Sequence, residues 1–334
     1  MRGALQLLRV MPEVLFRQPQ ENVARILGIV QYGLGATDMG LRQLGIPLAK
    51  IPVLPLNAPD GICEIWQSSL PTQEGRTEDV HWRNNGMVAF LSWDQVDTEG
   101  SGLANVTEDA YHALFSAVHF QKHHLIRVWN HVGEINDDSA GLERYRQFNI
   151  GRQQAFVGTG RSLAGASVPA ASALGASASA LDVFALSAGL PAVAIENPRQ
   201  TSAYHYPAEY GPRAPLFSRA NLVDIGGGTL FVSGTASIVG HQTRHQGDCR
   251  AQTRETLRNI QVLLDETRMQ YGKIWTLSDL ELKVYVRFRS DLPAVVEEME
   301  RVIGGPVDAL FLQADICRKD LLVEIEAVGL ARTR

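Results

Sequence analysis

Near its C-terminal end the chain reads DICRKDLLVEIEAVG, residues 315–329. The run from Leu321 to Val328 has the composition of a buried strand, yet it carries Glu324 and Glu326. A carboxylate without a partner is costly in a core. A glutamate set in an apolar wall has a raised pKa and can act as a general acid near neutral pH. The other reading of Glu324 is an edge-strand residue facing solvent. Alternation along a strand puts Glu326 on the same face, as a rim or supporting group. Cys317 sits just upstream, and a free cysteine is often only a small buried hydrophobe. In LKVYVRFR (282–289), Arg287 and Arg289 share one strand face. They read either as exposed charges on a half-buried sheet or as a double grip on an anion. Arg144, Arg146 and Arg152 fall on a helix and are expected mainly to cap it or to bridge domains.

Other motifs carry less. His241 and His245 have the i, i+4 spacing of a helical zinc site, but no third ligand is evident and Gly240 and Gly247 read as loop. The GGG at 226–228 lacks the spacing of a phosphate loop and reads as a tight turn. No metal or cofactor is expected.

These residues need elements to position them, and the chain states its elements twice. In the C-terminal half a Gly-led strand (226–237) precedes a helical run (250–271) whose Leu257, Ile260, Leu263 and Leu264 share a face. Then come a strand (282–289), a helix with Pro in its first turn (293–305), and strands at 309–315 and 321–329. The N-terminal half repeats the order: strand 86–93, helix 107–122 with Thr107 as its expected cap, strand 125–132, helix 141–156, and strands 168–175 and 181–189. LDVFALSAGL aligns with LLVEIEAVGL, which sets Phe184 against Glu324 and Leu186 against Glu326. One topology therefore accepts apolar residues where the second copy has acids. The reading is α+β: two tandem domains, 1–195 and 196–334, each a mixed sheet with helices on one face.

The bulk numbers fit this picture. The 334 residues are 45% hydrophobic and 20% charged, with net charge -5, an ordinary globular profile that argues against non-specific nucleic-acid binding. Three scattered cysteines suit a reducing cytoplasm. The first residues show no sustained apolar signal region, and the apolar stretch 162–195 is broken by Gly, Ser and Pro, so no membrane association is expected.

FSRANLVDIGGGTLFVSGTA (217–236) and LLVEIEAVG resemble the RidA/YjgF superfamily, small trimeric α+β proteins with ligand clefts between subunits. ENPRQTSAYHYPAEYGPRAPLFSRA (196–220), ERYRQFNIGR (143–152) and QADICRKDLLVEIEA (313–327) together resemble the chorismatases, which carry two RidA-like domains in one chain. The resemblance spans roughly residues 60–330. It implies cleavage of the enolpyruvyl ether of chorismate, with pyruvate released and no cofactor. One subgroup adds water and leaves a dihydroxycyclohexadiene carboxylate. Another yields 3-hydroxybenzoate, and a type linked to pigment and ubiquinone precursors yields 3- and 4-hydroxybenzoate. The benzoate-forming enzymes carry cysteine at the position of Cys317, so this side is expected here. The resemblance makes Glu324 the catalytic acid and Cys317 the residue that steers product. It makes Arg219 a ligand-binding arginine, with Tyr206 beside it on the enolpyruvyl carboxylate. Because chorismate is a dianion, Arg287 is expected on its ring carboxylate, with Gln313 as a hydrogen-bonding neighbour. The competing readings are chorismate hydrolysis, RidA-like enamine or imine deamination, and a non-catalytic small-molecule binder. The deaminase arginine has no counterpart in DALFLQA (308–314), which weakens the deaminase reading. Two RidA-like units make two-thirds of a trimer, so a monomer with a pseudo-trimeric core is expected, or a small homo-oligomer.

Overall fold

The structure, a computed structural model, describes residues 5–35, 40–94, 102–165, 168–177 and 181–331. The chain opens with β1 (Leu5–Val10), two single-turn helices α1 (Pro12–Leu15) and α2 (Gln20–Val23), β2 (Ile26–Tyr32), β3 (Leu48–Ile51), the short β4 (Leu54–Pro55) and β5 (Cys63–Ser68). The middle contains β6 (Gln73–Thr77), β7 (Val80–Asn84), β8 (Val88–Trp93), α3 (Leu103–Phe120), β9 (His124–Gly133), β10 (Asp138–Ser139), β11 (Leu142–Glu143), α4 (Arg144–Gly158), β12 (Ala170–Ala176) and β13 (Leu181–Ala188). The last part is β14 (Val193–Ile195), β15 (Ala220–Val223), β16 (Thr229–Ala236), β17 (Ile238–Val239), β18 (Gln242–Thr243), α5 (Cys249–Tyr271), β19 (Glu281–Val286), α6 (Leu292–Ile303), β20 (Ala309–Gln313) and β21 (Val323–Gly329).

The two expected sheets are present with the expected succession of strands and helices along the chain. In the middle sheet β12-β9-β13-β8 are neighbours, and in the last β20-β19-β21-β16. In each, the first pair is parallel and the others antiparallel. Register confirms the alignment of copies: Phe184 lies opposite Trp129 and Ser92, while Glu324 lies opposite Tyr285 and Ala236. Asp248 caps α5 by accepting from the Ala251 N–H at 3.0 Å, and left-handed Gly272 and Gly304 end α5 and α6. The helix expected from Thr107 starts earlier, at Leu103. Thr107 instead bonds back to the Leu103 carbonyl at 2.7 Å.

The first seventy residues repeat the pattern once more. Their sheet has the order β3-β2-β5-β1, again with one parallel pair, β2 and β3. The span 1–195 therefore holds two large sheets and the two-stranded β10-β11 sheet, while its β4 and β14 join the last sheet. The first has lost its long helices, and α1 and α2 only partly cover it, over Leu15, Ile29, Leu41 and Ile65. All three sheets turn an inner face to one shared core that includes Tyr32, Trp66, Trp129, Phe184, Phe231 and Tyr285. They also touch in pairs: β20 pairs with β4, the Gly175 N–H bonds the Asp315 carbonyl at 2.7 Å, and the Ser177 N–H bonds the Pro52 carbonyl at 3.2 Å. The core is thus pseudo-trimeric within one chain. No helix among the described residues is long and apolar enough to cross a membrane.

Candidate active site

A pocket of about 290 Å³ opens between the middle and last sheets. Its floor is Glu324 of β21 with Gly234 and Ala236 of β16. One wall is the segment that carries Cys317, Arg318 and Lys319. A second wall is the proline-stiffened stretch with Tyr206, Tyr210 and Phe217, backed by Arg219. A third comes from the other sheet's helix α4 through Tyr145 and Arg146. A deeper recess adjoins it, reaching Arg152 and Ser172.

Glu324 is 4% exposed and makes neither hydrogen bond nor ion pair among the described residues. Burial, with the Glu326 charge adding to it, raises its pKa to about 8, against the pull of Arg127 and Arg287. Gly234 allows this placement, because a Cβ there would lie 2.0 Å from Glu324 Oε1. Glu326 is not a rim residue. It is buried and accepts from Arg127 Nη2 at 2.6 Å, Trp129 Nε1 at 2.9 Å and Ser172 Oγ at 2.9 Å, with Lys283 Nζ at 2.9 Å. Burial alone would raise its pKa, but Lys283 and Arg127 prevail and hold it at about 2. Two glutamates on one strand face are thus set in opposite states, neutral and ionised. Burial pushes the Cys317 thiol up to about 12, so it stays protonated.

Two buried guanidiniums, Arg219 at the pocket and Arg152 at the recess, have no carboxylate partner among the described residues. Arg219 Nη2 donates to the Tyr206 hydroxyl at 2.8 Å and to the Thr201 carbonyl at 2.7 Å, while its Nε has no partner. Arg152 Nη2 donates to Asn149 Oδ1 at 3.1 Å, its Nε has no partner, and its Cζ lies 4.9 Å from the Phe148 ring centre. An unpaired buried cation is as costly as an unpaired acid, and an anionic ligand would relieve it.

A solved chorismatase crystal structure matches this fold with a TM-score of 0.86 and 31% identity, covering 98% of this chain and 99% of the other. A 3-hydroxybenzoate synthase from Streptomyces hygroscopicus is 36% identical over 315 residues, 91% of each chain.

The chain belongs to the chorismatase family.

A chorismatase of the same organism is also 36% identical, over 92% of this chain and 90% of its own. The family model "Chorismatase FkbO/Hyg5-like, N-terminal" matches residues 64–187.

Of the residues expected at a chorismatase site, Glu324, Cys317, Tyr206 and Arg219 meet at the pocket. Arg287 and Gln313 do not. They border a separate cavity on the other side of the Cys317 segment. The physical reason is that β19 ends at Val286, so Arg287 and Arg289 do not alternate on one strand. Arg287 is buried, and Arg289 is exposed on a 3-10 turn. Tyr145, which lines the pocket, was not singled out, and Arg152, expected to cap its helix or bridge domains, lines the recess. α4 buries Tyr145, Phe148, Asn149, Arg152 and Phe156 together, so it lacks a clean apolar stripe and its polar positions read as surface. The signal available was the spacing of an arginine seven residues after a tyrosine, two turns along one helix face.

Proposed function

We propose that this protein cleaves the enolpyruvyl ether of chorismate to give 3-hydroxybenzoate and pyruvate. The observation that carries the reading is a neutral buried glutamate facing both a pocket walled by buried Arg219 and a recess reaching buried Arg152, neither arginine having a carboxylate partner among the described residues. The substrate has the matching chemistry, with two carboxylates and an enol ether that opens on protonation at carbon.

Arg219 with Tyr206 binds the enolpyruvyl carboxylate, and Arg152 with Tyr145 binds the ring carboxylate, a fork-shaped donor serving each. Glu324 donates its proton to the terminal methylene carbon. The resulting oxocarbenium ion is stabilised by the carboxylate that Glu324 has become. The ring–oxygen bond then breaks, with its electron pair leaving on what becomes the pyruvate carbonyl. The neighbouring ring hydroxyl oxygen attacks the vacated carbon and gives its proton back to Glu324. The ring then rearomatises to the hydroxybenzoate. Chorismate has the same atoms as hydroxybenzoate plus pyruvate, so no water is consumed. Cys317, neutral and beside Glu324, occupies the space from which water would otherwise attack.

Incubating the purified protein with chorismate, measuring pyruvate and identifying the aromatic product by chromatography tests this. Equal amounts of pyruvate and 3-hydroxybenzoate are expected. Absence of pyruvate overturns the reading, and release of a dihydroxy diene overturns the role given to Cys317.

A further inference from the structure

Arg287 is only 9% exposed and its guanidinium is fully engaged. Nε donates to the Leu321 carbonyl at 2.7 Å. Nη2 donates to the carbonyls of Ile316 at 3.1 Å and Arg318 at 2.8 Å. Nη1 donates to Asn136 Oδ1 at 3.1 Å and to the Asp315 carboxylate. A guanidinium has five N–H donors, and these five contacts leave none for a ligand. Two of the acceptors, Ile316 and Arg318, flank Cys317. Asn136, from the middle sheet's half of the chain, donates to the same Ile316 carbonyl at 3.0 Å. The backbone on both sides of Cys317 is therefore tied to one cation, away from the pocket, while the cysteine borders the pocket. On the pocket side Arg318 adds a second tie. Its guanidinium lies 3.9 Å from the Tyr210 ring centre and donates to the His241 carbonyl at 2.8 Å.

We infer that Arg287 is a positioning residue for product choice: by clasping the main chain on both sides of Cys317, it fixes the thiol where it keeps water from the reacting ring. This rests on the proposed role of Cys317. It requires no contact between Arg287 and substrate. When the clasp loosens, water enters, and chorismate plus water gives the dihydroxy diene plus pyruvate in place of hydroxybenzoate plus pyruvate.

The test uses the full-length chain as Arg287→Met, Arg287→Lys and Asn136→Ala, the last removing a lighter part of the clasp should the arginine variants fail to fold. Two readouts are taken. The first is the ratio of diene to hydroxybenzoate together with KM for chorismate. In Arg287→Met the ratio is expected to rise about tenfold or more, with KM within about twofold of wild type, and Arg287→Lys should fall between. The second is the rate at which a thiol reagent labels Cys317, located by mass spectrometry with Cys63 and Cys249 as internal references. It should rise about tenfold as the segment opens locally. A KM raised tenfold with an unchanged ratio would assign Arg287 to a substrate carboxylate and overturn the inference. So would an unchanged ratio and labelling rate in a folded variant. If wild type forms no hydroxybenzoate, the functional reading fails, while unchanged labelling in the variants would separately overturn the clasp.

Discussion

Glu324 and Glu326 are identical side chains two residues apart, and what separates them is their company. Glu326 has two cations, an indole N–H and two hydroxyls; Glu324 has a cavity. The Glu324 pKa of about 8 predicts that turnover holds below that pH and falls above it, as the acid form is lost. Glu324→Gln is expected to lose about 100-fold or more in pyruvate release, the range of general acids, while circular dichroism remains native. The stability sign follows from the raised pKa. Relative to the unfolded chain, a buried neutral acid stabilises most below about 4.5, and that contribution is lost as pH rises through about 8. Glu324→Gln should therefore melt above wild type at pH 9, and a lower melting temperature there would contradict the assignment. Cys317→Ala is expected to keep pyruvate release and to shift the aromatic product towards the dihydroxy diene, read by chromatography.

At the scale of elements, the site depends on how closely α4 lies on α3. Gly151 sits where a Cβ would be 1.9 Å from the Ala104 carbonyl oxygen, a backbone atom that cannot rotate away. Gly151→Ala must push α4 outward, and the next residue on α4 is Arg152. The expected cost is about 1–3 kcal/mol of stability, the range for overpacking, with a raised KM for chorismate. A denaturation midpoint and a KM both equal to wild type would show that α4 tolerates the methyl group. The elements themselves were largely legible in the sequence. α5 announced itself through the shared face of Leu257, Ile260, Leu263 and Leu264, and α6 announced its ends through Pro293 and Gly304. Thr107 misled because its hydroxyl bonds back within an already formed helix, which sequence cannot separate from a cap. Arg287 misled because alternation was extended past Val286, where the strand stops. Glu324, Cys317, Tyr206 and Arg219 were legible only through the family pattern, since alternation alone left Glu324 as readily on an edge.

At the scale of the whole molecule, the missing part of the sequence reading was the third sheet. Its strands keep the order β3-β2-β5-β1, but single-turn helices replace the long amphipathic ones that signal the other copies. What joins the three is a buried ion network. Lys283 Nζ lies 2.5 Å from Glu64 Oε2 of the first sheet and 2.9 Å from Glu326, which reaches Arg127 of the middle sheet. Lys283→Met leaves buried acids short of a cation and should cost about 3–5 kcal/mol, read as a lower urea midpoint at unchanged slope. The depressed pKa of Glu326 contributes stability above about 4.5, and this is lost as pH falls towards about 2.

The single-copy character of Glu324 has a consequence for stoichiometry. In a trimer of identical subunits every cleft is the same, and a substitution at one appears at all three. Here the copies are covalently joined, so each junction has been free to drift. Where the last sheet offers an acid to a cavity, the middle sheet offers Phe184, stacked on Trp129 at 4.8 Å and on Phe90 at 5.7 Å. That junction carries stacked aromatic rings in place of an acid. One chain should bind one equivalent of substrate analogue, and titration calorimetry would show a single site with no cooperativity within a monomer.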